Sequence, residues 1–220
     1  MKKVILSVIT LTTAASAFAQ GTVILNNRVA GAGTSHVYSG PHYITGNGSA
    51  DVPPGSTDYT GYILIGTLGG LDPSTTLATL IGAPGSNAPE SLMLPSITLP
   101  TTFRTGLASG NVVARTDTFS NIAPDAPVAT FEMVVWDNSN GIYPTWASAS
   151  AAVMNGLIFG GRSAPFVIQS IGGILNVPPI IVSSIPGEGL QSFSISVPEP
   201  TTFALTSLSA AALLIFRRRE

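Results

Sequence analysis

The sequence predicts an all-β fold, an antiparallel β-sandwich of jelly-roll-like or Ig-like type with one short helix, and three observations carry that prediction. Between residues 20 and 196 the chain runs as short segments rich in Val, Ile, Thr, Tyr and Phe. Clusters of Gly, Pro, Asn and Asp, such as Gly46-Asn47-Gly48 and Asp137-Asn138-Ser139-Asn140-Gly141, separate them. Helical signals appear convincingly in one place only, and many short strands joined by loops argue for a sandwich. A chain of 220 residues suits one domain with a real core.

In order, the expected strands are 22–29, 36–38, 59–67, 77–81, 96–103, 111–116, 128–137, 165–169 and 190–197. The segment 128–137 is the most informative. Ala129, Phe131, Met133 and Val135 share one wholly apolar face, expected to meet the core. Glu132 falls on the opposite face, toward solvent or an edge. The expected helix follows Pro144 over residues 145–155, with Trp146, Ala149, Ala152 and Val153 as its apolar stripe and Asn155-Gly156 as its stop.

Each end has its own grammar. Residues 1–19 read as a signal peptide: Lys2 and Lys3 form a basic start, an apolar run follows, and Ala17-Phe18-Ala19 is a small-x-small cleavage site that would leave Gln20 as the new amino terminus. Such a signal helix is read by the Sec translocon and cut by signal peptidase. At the other end, Val197-Pro198-Glu199-Pro200 precedes an uncharged apolar run over 202–216 and then Arg217-Arg218-Arg219. The prolines make the tetrapeptide a stiff spacer. The apolar run should be a transmembrane helix in lipid, yet it is shorter than the roughly 20 residues a span normally takes. Terminal arginines stay on the cytoplasmic side and leave the body outside.

The tail, residues 197–220, is similar to the PEP-CTERM sorting signal of Gram-negative bacteria, with Pro198, Glu199 and Pro200 on the motif and Arg217, Arg218 and Arg219 as the basic cluster. The resemblance implies recognition by an exosortase, an integral-membrane enzyme resembling a cysteine transpeptidase, and cleavage near the motif during export. It implies a transient anchor in the inner membrane, then delivery to the cell surface or extracellular matrix. The body shows a weaker resemblance. GTVILNNRV, WDNSNGIYPTWASASA, GGRSAPFVIQSIGG and LQSFSISVPEP resemble the body of a set of PEP-CTERM proteins, which implies a β-sandwich of uncharacterised activity and transfers no catalytic residue.

Composition narrows the chemistry. Charged residues make up 9% of the chain, against a typical quarter, so its solubility rests on Ser, Thr, Asn and Gly. A formal net charge of −2 without a basic patch leaves no footprint for nucleic acid. With no cysteine, disulfides, thiolate metal sites and cysteine nucleophiles are excluded.

No catalytic, metal or cofactor site is expected, and the chain is read as a non-enzyme. His36 and His42 flank the turn residues Gly40 and Pro41 and read as surface loop histidines. The scattered Asp51, Asp58, Asp72, Asp117, Asp125 and Asp137 make no calcium loop. Gly161-Arg162-Ser163-Ala164-Pro165 lacks the second glycine of a nucleophile elbow. Gly31-x-Gly33 and Gly46-x-Gly48 fall short of a phosphate loop. Glu90, Glu132 and Glu188 are not paired by their spacing as a glycosidase requires. Asn47-Gly48-Ser49 fits a glycosylation acceptor in an exposed loop.

The sequence therefore reads as a structural component of the cell surface or exopolysaccharide matrix, with exopolysaccharide as a partner. A carbohydrate-binding or adhesive module is the alternative, and it expects Tyr38, Tyr43, Tyr59, Tyr62, Tyr143 and Trp146 together on one face. A secreted hydrolase, the third reading, expects convergent carboxylates or a Ser/His pair in a pocket.

Overall fold

Strong β-formers in short runs leave little room for helix, and the computed structural model, which describes residues 20–197, is mostly β with one α-helix. The strands are β1 (Gly21–Leu25), β2 (Arg28–Val29), β3 (Gly33–Thr34), β4 (Val37–Ser39), β5 (Ile63–Leu64), β6 (Thr76–Pro84), β7 (Leu94–Pro95), β8 (Arg115–Phe119), β9 (Val128–Asp137), β10 (Gly160–Arg162), β11 (Phe166–Gln169) and β12 (Phe193–Ile195). The helix, α1, spans Trp146–Met154.

The two longest strands form the spine. β6 and β9 pair antiparallel from Thr76↔Asp137 to Pro84↔Ala129. On its free edge β9 takes β11 against its first half and β10 against its second, while β7 pairs with β6. β1 pairs with β8, and β12, β4 and β5 make a third sheet in which β12 runs parallel to β4. That parallel pair departs from a purely antiparallel arrangement. β12 arrives from the far end of the body, so no hairpin turn dictates its direction.

Alternation along β9 sorts its side chains onto two cores. Ala129, Phe131, Met133 and Val135 face the larger one with Val23 and Leu25 of β1, Phe119 of β8, Val37 of β4 and Phe193 and Ile195 of β12. Val134 and Trp136 face a second cluster with Leu77, Ile81 and Ala83 of β6 and Ala149, Ala152 and Val153 of α1. Helix α1 closes this second face. Thr145 caps it, its hydroxyl accepting from Ser148 N–H while Ser148 Oγ returns the bond to Thr145 N–H, and Gly156 follows at φ +67°. Trp136 is wholly buried and donates its indole N–H to the Tyr143 carbonyl at 2.7 Å.

Several expected strands contract or shift. Of 59–67 only β5 pairs, because the Tyr59–Tyr62 turn (Tyr62 N–H to Tyr59 O, 3.0 Å) occupies its start. Within 96–103 the backbone bonds through single bridges at Thr101 and Phe103, and the strand expected at 111–116 lies at Arg115–Phe119. Among the described residues no helix is long and apolar enough to cross a membrane.

Candidate functional site

The register of β10 on β9 builds the most distinctive site. Arg162 stands opposite Val134, so its side chain shares a face with Glu132, two residues along, within diagonal reach of a long side chain. Arg162 Nη1 lies 3.7 Å from Glu132 Oε2 and in direct contact with Glu90 Oε1, from the 3-10 turn Glu90–Leu92. Glu132 is buried, its side chain only 6% exposed, and its Oε2 has no hydrogen-bond partner among the described residues. This corrects the solvent-facing position expected of it: α1 and the second core cover that face of β9. Burial raises the Glu132 carboxyl above its ordinary range, because a shielded carboxylate loses hydration.

A cleft of about 610 Å³ opens beside these residues, lined by Tyr43, Glu132, Trp146, Val153, Met154 and Arg162 among others. Its size falls in the range of small-molecule pockets, roughly 300–1,000 Å³. Burial raises the Tyr43 phenol too, with the Glu132 charge adding to the effect and Thr45 and Arg162 opposing it. Ser163, at the cleft wall, is held in the backbone: its hydroxyl accepts from Met133 N–H at 2.9 Å and donates to the Ala164 carbonyl at 2.9 Å. The segment Gly161-Arg162-Ser163-Ala164-Pro165 thus carries the chain from β10 to β11.

A second polar cluster surrounds His36. His36 Nδ1 and Asp51 Oδ1 lie 2.5 Å apart, and Asp51 Oδ2 accepts Gly48 N–H at 2.5 Å. Asp51 has no exposed side-chain surface, so His36, in the β3–β4 loop and itself largely covered, is a partner of a buried acid rather than a surface histidine; His42 does lie exposed. Ser192 Oγ accepts the His36 backbone N–H at 2.6 Å and so holds the main chain, not the ring. Nearby, Tyr38 and Tyr59 stack at 3.9 Å, and Tyr62 meets Tyr59 edge-on at 5.8 Å. Burial first, and the Asp51 charge second, push the Tyr38 phenol up to about 12, and burial raises Tyr59 as well.

The six rings of the carbohydrate reading therefore divide. Tyr38, Tyr59 and Tyr62 form one stack, Tyr43 and Trp146 line the cleft, and Tyr143 packs on the second core with Trp146. Asn47, expected exposed, is buried, with 7% exposure: its amide donates to the Pro53 carbonyl and its Oδ1 accepts Ser192 N–H. Such a side chain staples two distant segments, and its burial removes the exposed acceptor.

The acids act separately. Asp117 is fully buried beside Arg115 at 2.6 Å and accepts Leu80 N–H at 3.2 Å, closing the edge of β6; burial raises it despite the arginine. Asp58 and Asp72 cap turns at Thr60 and Ser74, Asp137 accepts Ser139 N–H, and Asp125 accepts from Ile174, Leu175 and Asn176. Gly31 sits in the β2–β3 turn at φ +78°. Glu188 lies in an exposed loop, where it accepts from Ser183 Oγ.

Arg162 brings Glu90 and Glu132 together, which no spacing in the sequence revealed, although Glu90 does not line the cleft. One signal was available: a charged residue between Phe131 and Met133, in a chain with few charges. Among the described residues no group of three or more His, Asp or Glu is placed to hold a metal. Gln20 precedes β1 directly; Ala17, Ala19, Pro198, Glu199, Pro200, the 202–216 run and Arg217 to Arg219 lie outside the described residues.

Fold and site together define a mostly-β protein with a cleft between one helix and a central sheet. The chain matches no protein-family model, no curated protein and no solved structure.

Proposed function

We propose that the chain is an exported PEP-CTERM protein, a non-catalytic structural component of the cell surface or exopolysaccharide matrix, sorted by an exosortase. The observation that carries this reading is the two-ended grammar: a basic–apolar–AFA front, and a VPEP–apolar–RRR tail. The limits of the body fit it. β1 opens at Gly21, next to the expected cleavage at Ala19-Gln20, and β12 closes at Ile195, just before Val197. A β-sandwich is the finer architecture we assign, supported by the larger core drawing side chains from β1, β4, β8 and β12 against β6 and β9.

The test is the carboxyl terminus of the mature surface form, read by mass spectrometry with and without the exosortase of the producing cell. Loss of Arg217 to Arg219 is expected with the enzyme. Replacing Pro198, Glu199 and Pro200 by alanine should trap the chain in the inner membrane. An intact tail on the surface form of the unaltered protein overturns the proposal.

A carbohydrate-binding role is a second reading, favoured by the cleft, where two aromatic residues meet an acid and a base. For the hydrolase the support is thinner: among the described residues Glu132 is the one carboxylate lining the cleft, and the His36 ring is engaged by Asp51 elsewhere.

A further inference from the structure

The cleft beside α1 is also where the chain leaves the described body. Ile195 belongs to the larger core, while Ser196, the next residue along, lines the cleft. Ser196 exchanges both backbone bonds with Gly160, at 3.1 and 3.3 Å. Gly160 in turn lies so close to α1 that a β-carbon on it would collide with Val153. The chain therefore departs, after Val197, at the Val153–Met154 end of the α1 wall.

That wall is apolar and uncovered. Trp146, Val153 and Met154 line the cleft with Tyr43, Ala164 and Pro165, and Met154 is 74% exposed. Arg162 is engaged by Glu90 and the Glu132 oxygen Oε2 is buried, so the cleft offers an incoming group rings and alkyl surface rather than a free charge. Exposed apolar surface gathered in one place marks a docking site.

The segment that follows Ser196 suits such a wall. Pro198 and Pro200 lock their own φ and bias Val197 and Glu199 to extended backbone, so the tetrapeptide favours the polyproline II form before it meets anything. Segments of that kind dock in aromatic-lined grooves because little ordering entropy is lost. The lengths agree. Four residues at about 3.1 Å each cover about 12 Å, and the helix from Trp146 to Met154, at about 1.5 Å per residue, also covers about 12 Å. A segment joined directly to the cleft has an effective concentration of about millimolar or more, so weak contacts fill the site. A second chain would bear the full cost of association.

We propose that this cleft is the dock for the chain's own Val197-Pro198-Glu199-Pro200 segment, with Pro198 against the Trp146 and Tyr43 rings. Alternation from Ser196 returns Pro198 to the cleft side and turns Glu199 away. The dock rests on the cleft and on chain continuity, not on how the tail is processed, and it takes this cleft from the carbohydrate-binding reading.

The chain has no cysteine, so an introduced pair reports alone. Ser150 lies on the same helical stripe as Trp146 and Met154, between them. The full chain carrying Ser150→Cys with Thr201→Cys is oxidised mildly in micelles of an uncharged polyoxyethylene alkyl ether, and disulfide closure is followed by mass spectrometry. The comparator is His42→Cys with Thr201→Cys, since His42 is exposed, lies beside Ser194 and does not line the cleft. Rates are divided by each thiol's rate of alkylation. The Ser150 pair should close about tenfold faster than the comparator. Replacing Pro198 and Pro200 together by alanine should slow it about fivefold, as should Trp146→Ala, with Trp146→Phe recovering most of the loss. Glu199→Gln should change it by less than about twofold, because that side chain points away from the cleft. The proline variant leaves residues 20–197 unaltered, and thermal melting separates lost docking from lost folding in Trp146→Ala. Equal rates for the two pairs, or a Ser150 pair that closes as fast without the prolines, overturn the dock. Disulfide-linked dimers in place of closed monomers give the cleft to a second chain and overturn it as well. Faster closure of Ser150→Cys on Leu205→Cys than on Thr201→Cys gives it to the apolar run instead.

Discussion

Replacing Gly82 by alanine should destabilise the chain, and the structure says why. Gly82 sits in β6 opposite Phe131 of β9. A β-carbon there would lie 2.5 Å from Phe131 Cδ1, 2.6 Å from Cε1 and 3.3 Å from Ile122 Cδ1. Ordinary contact begins near 3.4 Å, so the ring would have to retreat by about 0.9 Å. It has no room. Phe131 is 0% exposed, with the Phe119 ring at 5.1 Å and the Phe166 ring at 6.2 Å. Overpacking of this kind costs about 1–3 kcal/mol, and alanine's advantage over glycine within a strand returns roughly 0.5–1 kcal/mol. With Phe131 confined, the cost falls in the upper part of that range, about 2–3 kcal/mol, so the net loss is about 1–2.5 kcal/mol, or a fall in Tm of roughly 2–10 °C for a domain of this size. Urea titration followed by circular dichroism measures it, and Phe131→Leu supplies the partner. The double variant should be more stable than the sum of single losses by about 1 kcal/mol, since a shorter side chain vacates the collision. A Gly82→Ala chain as stable as the unaltered one, or strictly additive losses, would refute the packing argument.

Two further outcomes concern pH. The raised Glu132 carboxyl favours the folded state fully below its ordinary value of 4.5, and that contribution is lost as pH rises through the folded value. Glu132→Gln should therefore denature at higher urea than the unaltered chain at about pH 7, with the gap closing toward about pH 4; an equal gap at both is the contrary result. Asp125 behaves oppositely, its carboxyl lowered by the Asn176 N–H first and by those of Leu175 and Ile174. Its contribution is present above 3.8 and lost as pH falls through the lower folded value. In Asp125→Ala the amides of Ile174, Leu175 and Asn176 should exchange with solvent faster at neutral pH; unchanged rates would show that the carboxylate does not hold that loop.

Local pattern made some elements legible. The alternation of Ala129, Phe131, Met133 and Val135 gave the core face of β9, because a strand's two faces are set by period alone. Pro144 and Asn155-Gly156 marked the ends of α1 to within a residue, because such stops are made by neighbours in sequence, although Thr145, expected as the first helical residue, caps the helix from outside it. Glu132 was misread for the converse reason: which face of β9 is dry depends on α1 packing against it. His36 and Asn47 belong to the same class. Asp51 closes on His36 from across a loop, and Ser192, 145 residues from Asn47, donates to its Oδ1. The pairing of β12 with β4 that brings Ser192 there has no turn to announce it.

The sequence by itself determined the β-rich class, the buried alternation of β9 and the helix after Pro144, all of them written in contiguous residues, and it alone carries the proposed export reading of the two ends. Tertiary structure alone decided that Arg162 gathers Glu90 and Glu132, that Tyr43 and Trp146 line one cleft, and that Tyr38, Tyr59 and Tyr62 stack elsewhere. Those juxtapositions follow from strand register and helix docking, and register is set by the burial of many side chains at once, not by the few that meet at the site.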